Sequence, residues 1–155
     1  MKKSITDINW MRFKTTKGQE FVVGVDFTAE DAFIKAKELR QEGKAIDALG
    51  VIDVSLYLDW NRPAAHNIKA SILLTLKRFG EAISSCDEAI RLNPNLAESF
   101  NNKAVILKAS ENYEDALTLI EKALDLNPDN PALIYNKESI LEALRNQNGL
   151  NRKMG

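Results

Sequence analysis

The sequence predicts an all-α fold, a solenoid of three helix pairs and a capping helix, preceded by a short N-terminal extension in which a β-hairpin is expected. Three observations predict it. First, small and apolar residues recur every 34 positions, as in Ala36, Ala70 and Ala104, Ala48, Ala82 and Ala116, and Leu39, Leu73, Leu107 and Leu141. Second, within each half-period the apolar residues fall three and four apart, as in Leu117, Ile120 and Leu124, which is the spacing of one helix face. Third, Asn93-Pro94 and Asn127-Pro128 punctuate the pattern at the same step. Proline disfavours helix in the residue before it, and its fixed φ suits entry into the next segment.

Further columns keep the period: Leu49, Ile83 and Leu117; Leu58, Leu92 and Leu126; and the small residues Ser55, Ala89 and Ala123. Small residues let helix backbones approach, and large ones fill the gaps beside them. The expected helices are 29–42, 45–58, 63–77, 79–92, 97–110, 113–126 and 131–146. The last turns Ile134, Ile140, Leu141 and Leu144 toward the stack. Lys137, Glu138, Glu142 and Arg145 are left for solvent, as a cap requires. The domain organisation expected is an extension at 1–28, a helical domain at 29–146 and a flexible tail at 147–155.

The extension has another texture. Met11, Phe13 and Thr15 alternate with polar residues, and Phe21, Val23 and Val25 lie beyond a plausible turn at Thr16-Lys17-Gly18-Gln19. A hairpin pairing 10–15 with 20–26 follows. An isolated hairpin is marginal in water, so it should dock as an N-terminal cap or drive self-association. Thr28 reads as an N-cap, with Asp31 three residues on.

These residues carry a family resemblance. Residues 97–130 resemble a tetratricopeptide repeat through Phe100, Ala104, Leu107, Tyr113, Ala116, Ile120, Ala123 and Pro128. Residues 63–96 match through Ala70, Leu73, Phe79, Ala82, Cys86, Ala89 and Pro94. Residues 29–62 match more loosely through Ala36, Leu39, Gly43, Ala48, Ile52 and Ser55, with Trp60 standing in the proline slot. The resemblance implies a right-handed superhelix whose first helices line a concave, peptide-holding groove. In register, that groove is expected to carry Phe33, Lys37, Asn67, Ile68 and Ser71 from the first two repeats. Asn101, Asn102, Val105, Tyr135 and Asn136 follow from the next two first helices. Asparagine amides both donate and accept, so a row of them suits the backbone of an extended peptide.

The family members that grip the C-terminal carboxylate of heat-shock chaperones use a clamp of Lys, Asn, Asn, Lys and Arg. Here those slots hold Phe33, Lys37, Ile68, Glu98 and Asn102, or, one repeat along, Asn67, Ser71, Asn102, Ala132 and Asn136. The cations are missing, and Glu98 would repel a carboxylate.

Composition narrows the function classes. The 155 residues include 21 Lys plus Arg against 22 Asp plus Glu, a formal charge of -1, which gives no broad pull toward nucleic acid or anionic lipid. No run approaches the ~18 apolar residues that cross a membrane. The cytoplasm is the expected location. Cys86 and His66 are the only residues of their kinds, so no disulfide, zinc cluster or cofactor site is expected. Each occupies a slot for a packed side chain, which argues against a thiol nucleophile with a histidine base. The tail Asn151-Arg152-Lys153 should fray. The expected function is a non-catalytic adaptor or scaffold that binds a protein or peptide segment in the groove. The alternative is a structural subunit that self-associates weakly through the arm or the solenoid ends.

Overall fold

A computed structural model of the chain describes residues 10–14, 20–24 and 27–154. Among them are two strands, β1 (Trp10–Lys14) and β2 (Glu20–Gly24), paired antiparallel with Phe13 opposite Phe21 and Met11 opposite Val23. Seven helices follow: α1 (Ala29–Gln41), α2 (Ala45–Leu58), α3 (Pro63–Thr75), α4 (Phe79–Leu92), α5 (Ala97–Ala109), α6 (Tyr113–Leu126) and α7 (Pro131–Met154). Helices α1 with α2, α3 with α4 and α5 with α6 form hairpins that stack in order, and α7 closes the far end against α6 and α5. The helix ends fall within two residues of those the sequence predicts, except that α7 runs on to Met154 instead of ending at 146. Nothing after Arg145 stops it: no proline follows, and Gly149 costs only ~1 kcal/mol inside a helix.

The chain enters α1 through a capping box. The Thr28 Oγ1 accepts from the Asp31 N–H at 3.1 Å, and the Thr28 N–H donates to the Asp31 carboxylate at 2.9 Å. This hydrogen bonding holds the Asp31 carboxyl below the usual carboxylate range. The turn between paired helices repeats as well. Gly43, Lys77 and Glu111 hold equivalent positions and all have positive φ, at 77°, 56° and 65°. The N–H groups of the next residues, Lys44, Arg78 and Asn112, reach back at 2.9 Å to the carbonyls of Leu39, Leu73 and Leu107. Left-handed backbone costs a residue with a Cβ ~1–2 kcal/mol, part of which glycine would lose again through its freer unfolded chain. Lys77→Gly should therefore stabilise the protein by ~0.5–1 kcal/mol, read as a higher midpoint in urea unfolding. An unchanged or lower midpoint would refute this.

The paired helices bury the small-residue columns, with Ala36, Ala70, Ala104, Ala48, Ala82 and Ala116 all fully buried. The stacking of one pair on the next rests on a different column, which the sequence reading did not single out. Ile72, Ile106 and Ile140 are 34 residues apart and fully buried. At the first such position stands Glu38, exposed, because no pair precedes it. An ionic ladder accompanies these isoleucines. Lys69 pairs with Asp53 at 2.8 Å, Lys103 with Asp87, and Lys137 with Glu121 at 2.9 Å. Each rung ties a first helix to the second helix of the preceding pair. Partly exposed, each rung is worth at most ~1 kcal/mol.

The junction from α2 to α3 lacks the Asn-Pro of the later repeats. Asp59 nevertheless takes the extended φ of Asn93 and Asn127, at -146° against -144° and -148°. Trp60 replaces the proline by bonding outward. Its indole N–H donates to Glu88 at 3.1 Å, its ring meets His66 edge-on at 4.7 Å, and its carbonyl accepts from His66 Nε2 at 2.9 Å.

Candidate functional site

Helices α1, α3, α5 and α7 touch one another in sequence, so the first helices of the repeats make one continuous face. The ten residues expected there are brought onto these four helices, but not to equal exposure. At the N-terminal end, Phe33 packs against the core and is flanked by two cations, Lys37 Nζ at 5.4 Å and the Arg62 guanidinium at 4.8 Å from its ring centroid. Arg62 is also paired with Glu30. Ser71 is half-buried and accepts from Arg40 Nη1 at 2.9 Å. Ile68 joins the hydrophobic core rather than standing free on the surface.

Asn67 lies beneath the face, not on it. It is 1% exposed, and its amide donates to Ser99 Oγ at 3.0 Å, fastening α3 to α5. Its Oδ1 has no partner among the described residues. Asn101, at the same repeat position, behaves differently: its Oδ1 accepts from Asn136 Nδ2 at 2.7 Å, linking α5 to α7. Beside that bond lie Asn102 and Tyr135. Asn102 is half-buried and makes no side-chain hydrogen bond among the described residues. Tyr135 is 69% exposed. Val105, one turn further along α5, is half-buried.

Two cations that the sequence reading passed over belong to the same helices. Arg40 and Lys108 occupy equivalent repeat positions and each bonds a serine 31 residues later, Ser71 and Ser139. The signal was available in the 34-residue register, but only by comparing polar columns as well as apolar ones. The face is thus less poor in cations than expected, although Arg40 and Lys108 are already engaged, and Glu98 is exposed at the start of α5.

Neither candidate for chemistry stands on this face as a reactive group. Cys86 is fully buried, and burial, with a smaller push from Asp87, raises its thiol to about 12. The thiolate is the nucleophilic form, so this thiol is held in its unreactive state. His66 is buried with its Nε2 tied to the Trp60 carbonyl. Among the described residues no group of three or more His, Cys, Asp or Glu side chains could hold a metal ion, and no helix is long and apolar enough to cross a membrane.

Two stretches match the tetratricopeptide repeat family, residues 63–96 and residues 97–130. The chain carries two tetratricopeptide repeats, α3 with α4 and α5 with α6. Solved structures agree with the fold. The first TPR domain of human RPAP3 is 24% identical, with a TM-score of 0.75, covering 79% of this chain and 96% of that one. The first TPR of Spaghetti (RPAP3), bound to the HSP90 peptide SRMEEVD, is 24% identical with a TM-score of 0.71, covering 76% and 94%. YrrB, described as a TPR protein with an unusual peptide-binding site, is 23% identical with a TM-score of 0.68, covering 72% of this chain and 57% of that one. A search of curated protein sequences finds no match. At these identities the likeness of this TPR protein to its neighbours is one of architecture, and the chemistry of its face is its own.

Proposed function

We propose that this TPR protein is a non-catalytic interaction module that holds an extended peptide or protein segment on the face made by α1, α3, α5 and α7. The observation that carries the reading is that the chain neighbours of the bonded Asn101 and Asn136 are left unspent: Asn102, half-buried with no side-chain hydrogen bond among the described residues, and the exposed Tyr135. The Asn102 amide is left with its donors and acceptor unused by the described residues, and a peptide backbone offers it both an acceptor and a donor. The exposed Tyr135 ring on α7 supplies apolar contact at low entropic cost. That TPR domains of the same architecture hold short peptides, as RPAP3 does SRMEEVD, supports the reading.

The chemistry of the ligand follows from the face. Phe33, Ile68 and Glu98 stand where a carboxylate clamp would need lysine, asparagine and lysine. An acidic chaperone tail should therefore bind no tighter than ~10 µM, whereas neutral extended segments should do better.

Selection from a displayed library of linear peptides tests this. Enriched peptides should lose at least ~tenfold in affinity, or ~1.4 kcal/mol, against Asn102→Ala/Tyr135→Ala, with the melting temperature unchanged. These two positions are chosen because neither holds the fold, whereas replacing Asn136 would break its bond to Asn101. Binders indifferent to both substitutions would overturn the reading, and a tight complex with SRMEEVD would overturn the ligand chemistry drawn from it. The alternative, a subunit that self-associates through the N-terminal arm or the solenoid ends, predicts a concentration-dependent mass instead.

A further inference from the structure

The outward face of α2 differs from those of α4 and α6 in a way that helix packing does not explain. Ile46, Gly50, Val54 and Tyr57 are spaced four, four and three apart, so they form one stripe along α2. The equivalents of Gly50 and Val54 are Ser84 and Glu88 in α4, and Thr118 and Lys122 in α6. Those residues are polar, and all but the half-buried Glu88 are exposed. Gly50 is buried, and Val54 is 4% exposed, although the stripe's ends, Ile46 and Tyr57, are 59% and 74% exposed. Helix α2 has the same kind of helix neighbours as α4 and α6, one before and one after. Something other than a helix covers the middle of its outward face. The far helix α7 is out of the question, since it packs on α5 and α6.

The hairpin fits that place in three respects. Its register sets Met11 opposite Val23 and Phe13 opposite Phe21, so the pleat puts these four apolar residues on one face of the ladder. A five-residue strand is ~16 Å long, and the stripe from Ile46 to Tyr57 spans ~16 Å of helix. The start of α1 is pinned beside the covered stretch, because Ser55 Oγ donates to the Ala29 carbonyl at 2.7 Å. From Gly24 only residues 25–28 separate β2 from that point, a reach of up to ~14 Å. A two-stranded ladder needs a partner surface to be stable, and an apolar helix face needs cover.

We propose that the hairpin seats in cis on the outward face of α2, with the ladder face bearing Met11, Phe13, Phe21 and Val23 over Gly50 and Val54. It is the N-terminal cap of the solenoid, and it leaves the opposite, concave face open. The surface of α2 is then a docking site for this chain's own arm rather than for a second copy.

Hydrogen exchange on the full chain tests it. Gly50→Thr/Val54→Lys installs the residues that α6 carries at these positions, so the helix itself should tolerate them. In the unsubstituted protein the amides of β1 and β2 should be protected, equally across a hundredfold range of protein concentration. In the double variant their protection should fall by at least ~tenfold, as expected for losing one buried aliphatic contact, while α5 and α6 keep theirs. A second variant, Phe13→Asp/Phe21→Asp, leaves every helix untouched and should instead speed exchange in the middle of α2. It decides the matter if the α2 variant also loosens α5 and α6. Strand protection that survives the α2 substitutions, or that grows with concentration alongside a dimer mass, would overturn the proposal, as would unchanged exchange at Gly50–Val54 in the hairpin variant.

Discussion

Ile106→Ala should lower the stability of the protein by ~2–5 kcal/mol and break its unfolding into two steps. The first effect is that of a cavity. Ile106 is fully buried, and the rigid backbones of α3, α4 and α5 around it cannot collapse into the space. The second effect comes from where the residue sits. Although it belongs to α5, its side chain is part of the cluster formed by Ile52, Leu73 and Cys86 from the first two pairs. Phe100, Ala104 and Leu107 of the same helix belong to the other cluster, with Ile120 and Ile140. Ile106 therefore joins α5 to the cluster of the first two pairs as a fully buried member, whereas its neighbours meet those pairs only through the partly buried Ile83 and Ile90 of α4. In a solenoid the interface between repeats sets cooperativity. The two tryptophans, Trp10 and Trp60, both lie in the N-terminal half, so their fluorescence reports that half while circular dichroism reports all helices. The two urea curves should coincide in the unsubstituted protein and separate in Ile106→Ala. Coincident curves with an unshifted midpoint would show that the column does not carry the coupling.

The fold was legible in the sequence because repetition multiplies weak signals. One alanine at a helix crossing says little, but Ala36, Ala70 and Ala104 at one step fix the register of three hairpins at once. The isoleucine column was equally available, and its break at Glu38 even marks the open end of the stack. Site residues resist such reading because repeat position does not fix side-chain fate. Asn67 and Asn101 hold the same position, yet one is sealed against Ser99 and the other bridges to Asn136. The difference lies in the next helix: the small Ser99 leaves room above Asn67, while the equivalent of Ser99 in α7 is the bulky, buried Leu133. A partner 32 or 35 residues away is invisible to periodicity within one helix. The groove row thus resolves into a structural asparagine, a bonded pair, and Asn102 with its hydrogen-bonding capacity unused.

Acidification from about pH 7.5 to about pH 5.5 should destabilise the protein through one side chain, and His66→Phe should abolish the response. His66 is the single histidine, the Cys86 thiol is pushed far above this range, and Glu88 is held at about 2 chiefly by its bond to Arg91. Burial lowers the His66 pKa below its ordinary 6.5, outweighing the Trp60 carbonyl and Glu88, which favour the charged ring; Lys69 and Arg91 push the same way as burial. Because the folded value is the lower one, the unfolded chain takes up the proton first as pH falls. The stability held by the neutral ring is complete above about pH 6.5 and is lost as pH drops below it. Phenylalanine is a tolerable replacement, since Phe100 fills the same slot one repeat later and is equally buried. The urea midpoint of the unsubstituted protein should fall across this interval, and that of His66→Phe should stay level. A His66→Phe curve that falls in parallel would place the titrating group elsewhere. A flat curve for the unsubstituted protein would mean that the ring has the same pKa folded and unfolded, with the Trp60 carbonyl and Glu88 offsetting burial. In either case the Trp60–His66 junction would not be the source of the protein's sensitivity to acid.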